Sequence, residues 1–405
     1  MTAGATRLVS FLGTGKYEPV TYEQDGRRAG TTPYVARALA ELLGPAEIVI
    51  LATAEAERKH RTALERAFAE AGIAVPRFVK VPTGGDRGEL FELFRILREQ
   101  LRMGDGSIVL DITHGFRAQP FFAASVVAFA RAVDEKPAPL RVVYGAFEQK
   151  REDGSAPIWD LSYLVDVLDW AAALRLFLRT GRAREAAAAT KRLGDELGRA
   201  WNEGGRQGEP PRLKQLGEAL ERFGDDLETL RTGDLLLGRR GKESSARALA
   251  ERLAAAESNV REHLPPLAEV LDAVRGMVTP LTGAFTNLKE PMGRKAVAAL
   301  AELYLKLGRY LEAIATVREG LVNDSASESA AKPGARDFAQ NARDEAERQL
   351  GASNQFRAVA DLRNDLLHAQ YRPEGGARQA NQIVDQVRDA VEAFGRQTGA
   401  GDVGS

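Results

Sequence analysis

Ser107 to Arg117 reads S-I-V-L-D-I-T-H-G-F-R. Ile108-Val109-Leu110 is a short apolar run, largely β-branched, of the kind a buried parallel strand needs. It stops abruptly at polar residues and a glycine, just before the helix-like run Gln119 to Val133. In open α/β sheets the ligand crevice lies at the carboxyl ends of the strands, so function is expected at this edge. Thr113 offers a hydroxyl, His114 and Arg117 can donate to an anion, and Gly115 lets a ligand approach the backbone. On the plainer reading, Asp111 and Thr113 cap the following helix and His114 is a satisfied core histidine.

Outward from this stretch, apolar strands alternate with amphipathic segments from Arg7 to about Phe147. The expected strands are Arg7-Leu12, Glu47-Thr53, Arg77-Val81, Ile108-Ile112 and Leu140-Phe147. The expected helices are Pro33-Leu43, Arg58-Ala71, Glu89-Arg102 and Ala118-Val133. That alternation predicts an α/β fold with a doubly wound, mostly parallel sheet. Strand ends carry small or polar residues: Gly13-Thr14-Gly15-Lys16, Pro82-Thr83-Gly84-Gly85 and the Thr113-Arg117 turn, all expected on one rim. The first is no Walker loop, because the G-x-x-x-x-G-K-[ST] spacing is absent and Tyr17 stands where a magnesium-binding hydroxyl would be.

Past the turn Asp153-Gly154-Ser155-Ala156-Pro157, Ile158-Leu161 is expected as a last edge strand. Leu164 to Thr180 then opens an Ala/Leu/Arg/Glu-rich, helix-periodic remainder that predicts an all-α second half. The expected divisions are 1–161, a helical inter-domain region 162–290, a helical domain 291–397 and a flexible tail 398–405, with a mobile loop over 323–334.

Composition narrows the chemistry. With 56 Lys+Arg against 57 Asp+Glu the formal net charge is −1, so a general polyanion binder is not expected and nucleic-acid contact should be local. The absence of cysteine excludes disulfides, thiol catalysis and cysteine-bound zinc, and fits a reducing compartment. No run approaches the ~20 apolar residues of a membrane span, so a cytoplasmic protein is expected. The histidines His60, His114, His263 and His368 never fall at i, i+3 or i, i+4. Metal-free chemistry is therefore the expectation.

In the helical half, Arg363-Asn364-Asp365-Leu366-Leu367-His368 stands out. On a regular helix Arg363 and His368 project about 140° apart, whereas Asn364 and His368 share a face. Arg363 can join them if His368 lies at a frayed helix end, as Tyr371-Arg372-Pro373 suggests, or if a second subunit supplies the partner. These residue types suit work on a phosphodiester: His368 for proton transfer or positioning, Arg363 for phosphate charge, and Asn364 for holding either.

D-I-T-H-G resembles the D-x-T-H-G signature of CARF domains in CRISPR-associated proteins of type III systems, and R-N-D-L-L-H resembles the R-x(4-6)-H motif of HEPN ribonucleases. Tyr304-x5-Tyr310-Leu311-Glu312-Ala313-Ile314 also resembles a HEPN helix. The chain is thus similar throughout to CARF-HEPN ribonucleases. The resemblance implies a Rossmann-like domain that binds cyclic oligoadenylate, with tetra-adenylate the expected ring, followed by a HEPN domain that cleaves single-stranded RNA as a homodimer or higher oligomer. For ring binding it implies Thr14, Gly15, Lys16, Thr83, Gly84, Thr113, His114, Gly115 and Arg117, and for catalysis Arg363, Asn364 and His368, with no cofactor and no metal. The rivals are a ring nuclease degrading cyclic oligoadenylate at the rim, a non-catalytic signal-dependent binding protein, and a helical half acting on DNA.

Overall fold

Eight strands form one sheet: β1 (Thr6–Leu12), β2 (Thr21–Gln24), β3 (Arg27–Arg28), β4 (Glu47–Ala52), β5 (Arg77–Lys80), β6 (Ser107–His114), β7 (Leu140–Gly145) and β8 (Ser155–Asp160). They lie in the order β3-β2-β8-β7-β6-β1-β4-β5. This computed structural model describes residues 5–115, 119–134, 136–203, 205–206, 210, 212–239, 241–263, 268–326, 340–368, 371 and 378–399. It divides into two units, Met1–Asp169 and Trp170–Ser405.

In the first unit, β1 is central because both of its faces are apolar. Leu8 and Leu12 enter one core with residues of α1 (Val35–Leu43) and α2 (Ala54–Glu70). Val9 and Phe11 enter the other with residues of α3 (Arg87–Gln100) and α4 (Gln119–Val133). Ile108 and Leu110 follow Val9, while Val109 follows Leu8, as the two-residue pleat requires. Each such fully buried aliphatic side chain contributes roughly 1.5–3 kcal/mol. Strands β5, β4, β1, β6 and β7 are mutually parallel. Their order reverses direction at β1 and β6, which makes that pair the switch point of a doubly wound sheet.

Two local expectations are corrected. β8 is not an edge strand: it pairs antiparallel with β7 and parallel with β2. The edge beyond it is the β2–β3 hairpin, turned by Asp25 (φ 52°) and Gly26 (φ 74°), the Asp-Gly chemistry of a type I′ turn. α2 starts at Ala54, earlier than Arg58, because the Thr53 hydroxyl accepts the Ala56 N–H at 3.2 Å as an N-cap.

Helix α5 (Ser162–Thr180) contains the division between the units, and the rest is helical. The second unit holds α6 (Arg184–Glu203), α7 (Leu213–Glu228), α8 (Thr232–Leu236), α9 (Ser245–His263), α10 (Ala268–Val278), α11 (Pro291–Lys306), α12 (Tyr310–Ser325), α13 (Gln340–Leu350), α14 (Asn354–Leu367) and α15 (Ala380–Thr398). Helices on both sides of residue 290 share its core: the buried Tyr304 hydroxyl donates to the Leu227 carbonyl at 2.9 Å, and Arg309 donates to Glu228 O at 3.1 Å. The Tyr304–Ile314 segment is not one helix, because α11 ends at Lys306 and Gly308 (φ 70°) turns the chain before α12. Residues 323–325 belong to α12 and not to a loop, while the loop's 327–334 lie outside the described residues. α15 runs to Thr398 and is closed by left-handed Gly399; the rest of the expected tail is likewise outside them. Among the described residues no helix is long and apolar enough to cross a membrane.

Candidate functional sites

At the switch point, β6 ends on a buried carboxylate. Asp111 is 0% exposed and accepts from Ser10 Oγ on β1 at 2.6 Å, from Thr113 N at 2.9 Å and from Thr113 Oγ1 at 2.5 Å. Burial raises its pKa above the usual carboxylate range, and the Ser10 and Thr113 donors oppose that rise. Thr113 Oγ1 also accepts the Gly145 N–H at the end of β7, 2.8 Å away. The hydroxyl expected to greet a ligand thus joins the ends of β6 and β7, and Asp111 joins them to β1. Asp111 caps its own turn.

His114 sits half-buried with its ring 4.0 Å from that of Tyr17 and tilted 34°. Its Nε2 lies 3.4 Å from the Val35 N–H, and the ring also hydrogen-bonds the Pro33 carbonyl. Desolvation pulls its pKa down to about 4, so the imidazole is neutral at physiological pH. It meets the rim as a neutral ring, with one nitrogen turned to the Val35 N–H. Gly115 follows as a bend; Arg117 lies outside the described residues.

The loop after β1 faces this turn. A Cβ on Gly13 would come 2.6 Å from the His114 carbonyl oxygen, so only glycine permits the approach. Gly13 N–H donates to Tyr17 Oη at 3.0 Å. Tyr17 also stacks on His60 of α2, 4.8 Å between centroids. His60 Nε2 donates to the Gly15 carbonyl at 3.0 Å, which leaves Nδ1 to accept from the Tyr34 hydroxyl at 3.4 Å. Lys59 Nζ donates to the Thr14 carbonyl at 2.5 Å. With the loop's carbonyls bound by α2, Gly15 and the Lys16 ammonium remain exposed on the rim. Sequence reading missed Tyr17, Tyr34, Lys59 and His60 as partners of this loop; the signal available was the aromatic that follows Lys16.

On the loop after β5, Thr83 Oγ1, Gly84 N and Gly85 N all donate to Glu89 Oε2, at 2.9, 2.9 and 3.0 Å. Those bonds, led by Gly85, hold the Glu89 carboxyl below its usual range. Three donors on one oxygen form a nest that would equally suit a phosphate oxygen. Here the chain's own carboxylate fills it, so Thr83 and Gly84 are engaged. Nearby, Arg58, Arg61 and Lys80 border a depression of about 490 Å³ at the ends of β4 and β5, adding positive charge that sequence reading did not single out.

In the second unit, α14 carries Arg363 and Asn364, both half-buried, and ends at Leu367. His368 is the C-cap (φ −84°, ψ 4°), exposed, its N–H bonded to the Asn364 carbonyl at 2.9 Å. That i→i−4 bond and a near-helical φ keep His368 on the helical path, so its Cβ stays about 140° round the axis from that of Arg363. Arg363 Nη1 donates to Asn364 Oδ1 at 2.8 Å. Between them and His368, the buried Asp365 carboxylate meets Arg378 at 3.3 Å. Among the described residues no three His, Asp or Glu side chains converge as metal ligands.

No protein-family model matches the sequence. CRISPR-associated protein MJ1674 of Methanocaldococcus jannaschii is 35% identical over 104 residues, which are 25% of this chain and 16% of that protein. The chain therefore spans a small part of that relative's length. The solved structure of Enterococcus italicus Csm6 bound to cyclic hexa-2′-fluoro-hexa-dAMP overlays on 98% of this chain and 94% of its own, at 10% identity and a TM-score of 0.43. At that score the overlay identifies no shared fold by itself. The resemblance to CRISPR-associated proteins thus rests on the 104-residue match and on the motifs.

Proposed function

We propose that this chain is a CRISPR-associated CARF-HEPN protein: a metal-independent endoribonuclease that cleaves single-stranded RNA when cyclic oligoadenylate binds its first unit. The observation that carries the reading is the meeting of the D-x-T-H-G turn with the Gly13–Lys16 loop at the switch point of the sheet. Backbone groups of Gly15 and Gly115, the Lys16 ammonium and the basic border at Arg58 and Lys80 suit a ligand that is a string of phosphates and flat bases. Ring phosphate entering the β5 loop would displace Glu89 from its donors.

In the second unit, His368 moves the proton of the attacking 2′-hydroxyl and Arg363 balances charge building on the phosphorane. Asn364, bound through its carbonyl to Arg363, holds that guanidinium in place and keeps its amide N–H groups for phosphate. A homodimer would bring two such motifs together. Support for a second copy comes from an apolar stripe on α4, where Phe121, Phe129 and Val133 are 81%, 47% and 58% exposed.

The test is cleavage of a fluorescent single-stranded RNA in EDTA, with and without cyclic tetra-adenylate or cyclic hexa-adenylate, for the wild type, Arg363→Ala and His368→Ala. Cleavage that needs one ring and is lost in both variants is expected. No cleavage with either ring overturns the ribonuclease reading. Consumption of the ring itself by His368→Ala would assign chemistry to the rim instead.

A further inference from the structure

A second pocket lies wholly within the helical unit, away from the Arg363–His368 motif. It is a half-open cavity of about 260 Å³ between the α7–α8 connection and helices α11, α12 and α13. That volume is just under the roughly 300–1,000 Å³ of small-molecule sites, enough for one flat heterocycle but not for a protein segment.

Its floor carries Asn323, 8% exposed, whose side-chain amide makes no hydrogen bond among the described residues. The amide is therefore open to a ligand entering the cavity that supplies a donor and an acceptor together. The wall includes Leu230, held at φ 55°, a left-handed conformation unfavourable for leucine. Three guanidinium groups stand around the cavity: Arg231, Arg239 and Arg343. Arg343 is paired with Glu319, and Arg239 lies 3.6 Å from Asp234. Arg231 is exposed and makes no ion pair among the described residues.

We infer that this cavity binds a purine nucleoside monophosphate unit, its base edge on the Asn323 amide and its phosphate on Arg231 and Arg239. An amide presents one donor beside one acceptor, the pattern that both adenine and guanine edges complement, and guanidinium groups are the side chains best matched to phosphate. The apolar wall accepts the flat face of the base. The unit can come as a free mononucleotide or as one residue of an RNA strand. The site does not depend on the nuclease reading, since it uses none of its residues.

The experiment is equilibrium binding to the full chain of AMP, GMP and a single-stranded oligoadenylate RNA, for the wild type, Arg231→Ala/Arg239→Ala, Asn323→Leu, Lys16→Ala and His368→Ala. The double arginine variant alters only exposed side chains, so it remains informative if Asn323→Leu fails to fold. Saturable binding of at least one probe that weakens roughly ten-fold or more in the arginine variant, the loss of charge-assisted bonds to phosphate, and that for AMP or GMP is unchanged in Lys16→Ala and His368→Ala is the expected result. AMP or GMP binding alone marks a free-nucleotide site, whereas RNA binding that falls in the arginine variant and that mononucleotides do not displace marks a strand site. Binding of none of the three probes overturns the inference. So does binding that is indifferent to Arg231, Arg239 and Asn323 or lost in Lys16→Ala.

Discussion

Replacing Asp111 separates the architectural part of the D-x-T-H-G turn from its ligand-facing part. In Asp111→Ala, three hydrogen bonds disappear: those from Ser10 Oγ at 2.6 Å, Thr113 N at 2.9 Å and Thr113 Oγ1 at 2.5 Å. Thr113 Oγ1 keeps Gly145 and Ser10 keeps a weak bond to Phe11 O, so the Thr113 N–H is the group left most exposed to loss. Each buried polar group deprived of its partner costs about 1–3 kcal/mol, and relief of the carboxylate's own desolvation offsets part of the sum. The expected net loss is about 3 kcal/mol, or roughly 150-fold in the opening equilibrium of the first unit. Asp111→Asn keeps an acceptor for Thr113 and offers Ser10 a donor, so it should cost under about 1 kcal/mol.

Hydrogen exchange of amides in 8–11 and 108–111 reads both numbers without requiring the whole chain to unfold in one step. The sign with pH is also fixed. The folded pKa of Asp111 is raised, so its contribution to stability is fully present below the unfolded value and is lost as pH rises through the folded one. Asp111→Asn lacks that slope and should gain on the wild type as pH increases. Exchange in Asp111→Ala within about three-fold of the wild type would refute the reasoning, as would equal damage from both substitutions.

Other outcomes follow from the same geometry. The His114 pKa is lowered to about 4, so this group stabilises the fold above the unfolded value near 6.5 and loses that contribution as pH falls through 4; His114→Gln should flatten the urea midpoint of the first unit between pH 7 and 4.5, removing up to about 3 kcal/mol of pH dependence. Gly13→Ala places a methyl group 2.6 Å from the His114 carbonyl and should cost about 1–3 kcal/mol while weakening cyclic oligoadenylate binding measured by calorimetry. Arg378→Ala removes the cation beside buried Asp365, and exchange of the 364–368 amides should quicken about ten-fold, with slower RNA cleavage at an unchanged rim affinity.

The centre of the sheet was legible because β1 and β6 are apolar on both faces, which leaves buried parallel strands as the economical reading. The flank was not. β8 is short and Pro157-containing, which reads as an edge, and only the return of Thr21–Gln24 across the sheet makes it interior. Nothing near β8 announces that pairing, and the Asp25-Gly26 hairpin signal went unread. The rim shows the same division. Gly13 and His114 could be placed on one edge from their strands, but the Tyr17–His60–Tyr34 contacts join segments far apart in sequence. The Thr113 hydroxyl has the right chemistry for a ligand and is nevertheless taken by Asp111 and Gly145.

The Arg363–His368 motif shows how far spacing alone can be read. As a pattern on an unbroken helix, Arg363 and His368 point apart, and that geometry argues against joint action. α14 ends at Leu367 with His368 as its cap, but the cap is reached through helical residues, so the offset persists and joint action would need a second copy of the motif. Asp365 is central to that ending. Its buried carboxylate meets Arg378 from the segment entering α15, tying the last turn of α14 to a point beyond the break. Arg363 stays on the helix, bonded to Asn364 Oδ1, and the Asp365–Arg378 pair holds the turn that carries both ends of the motif.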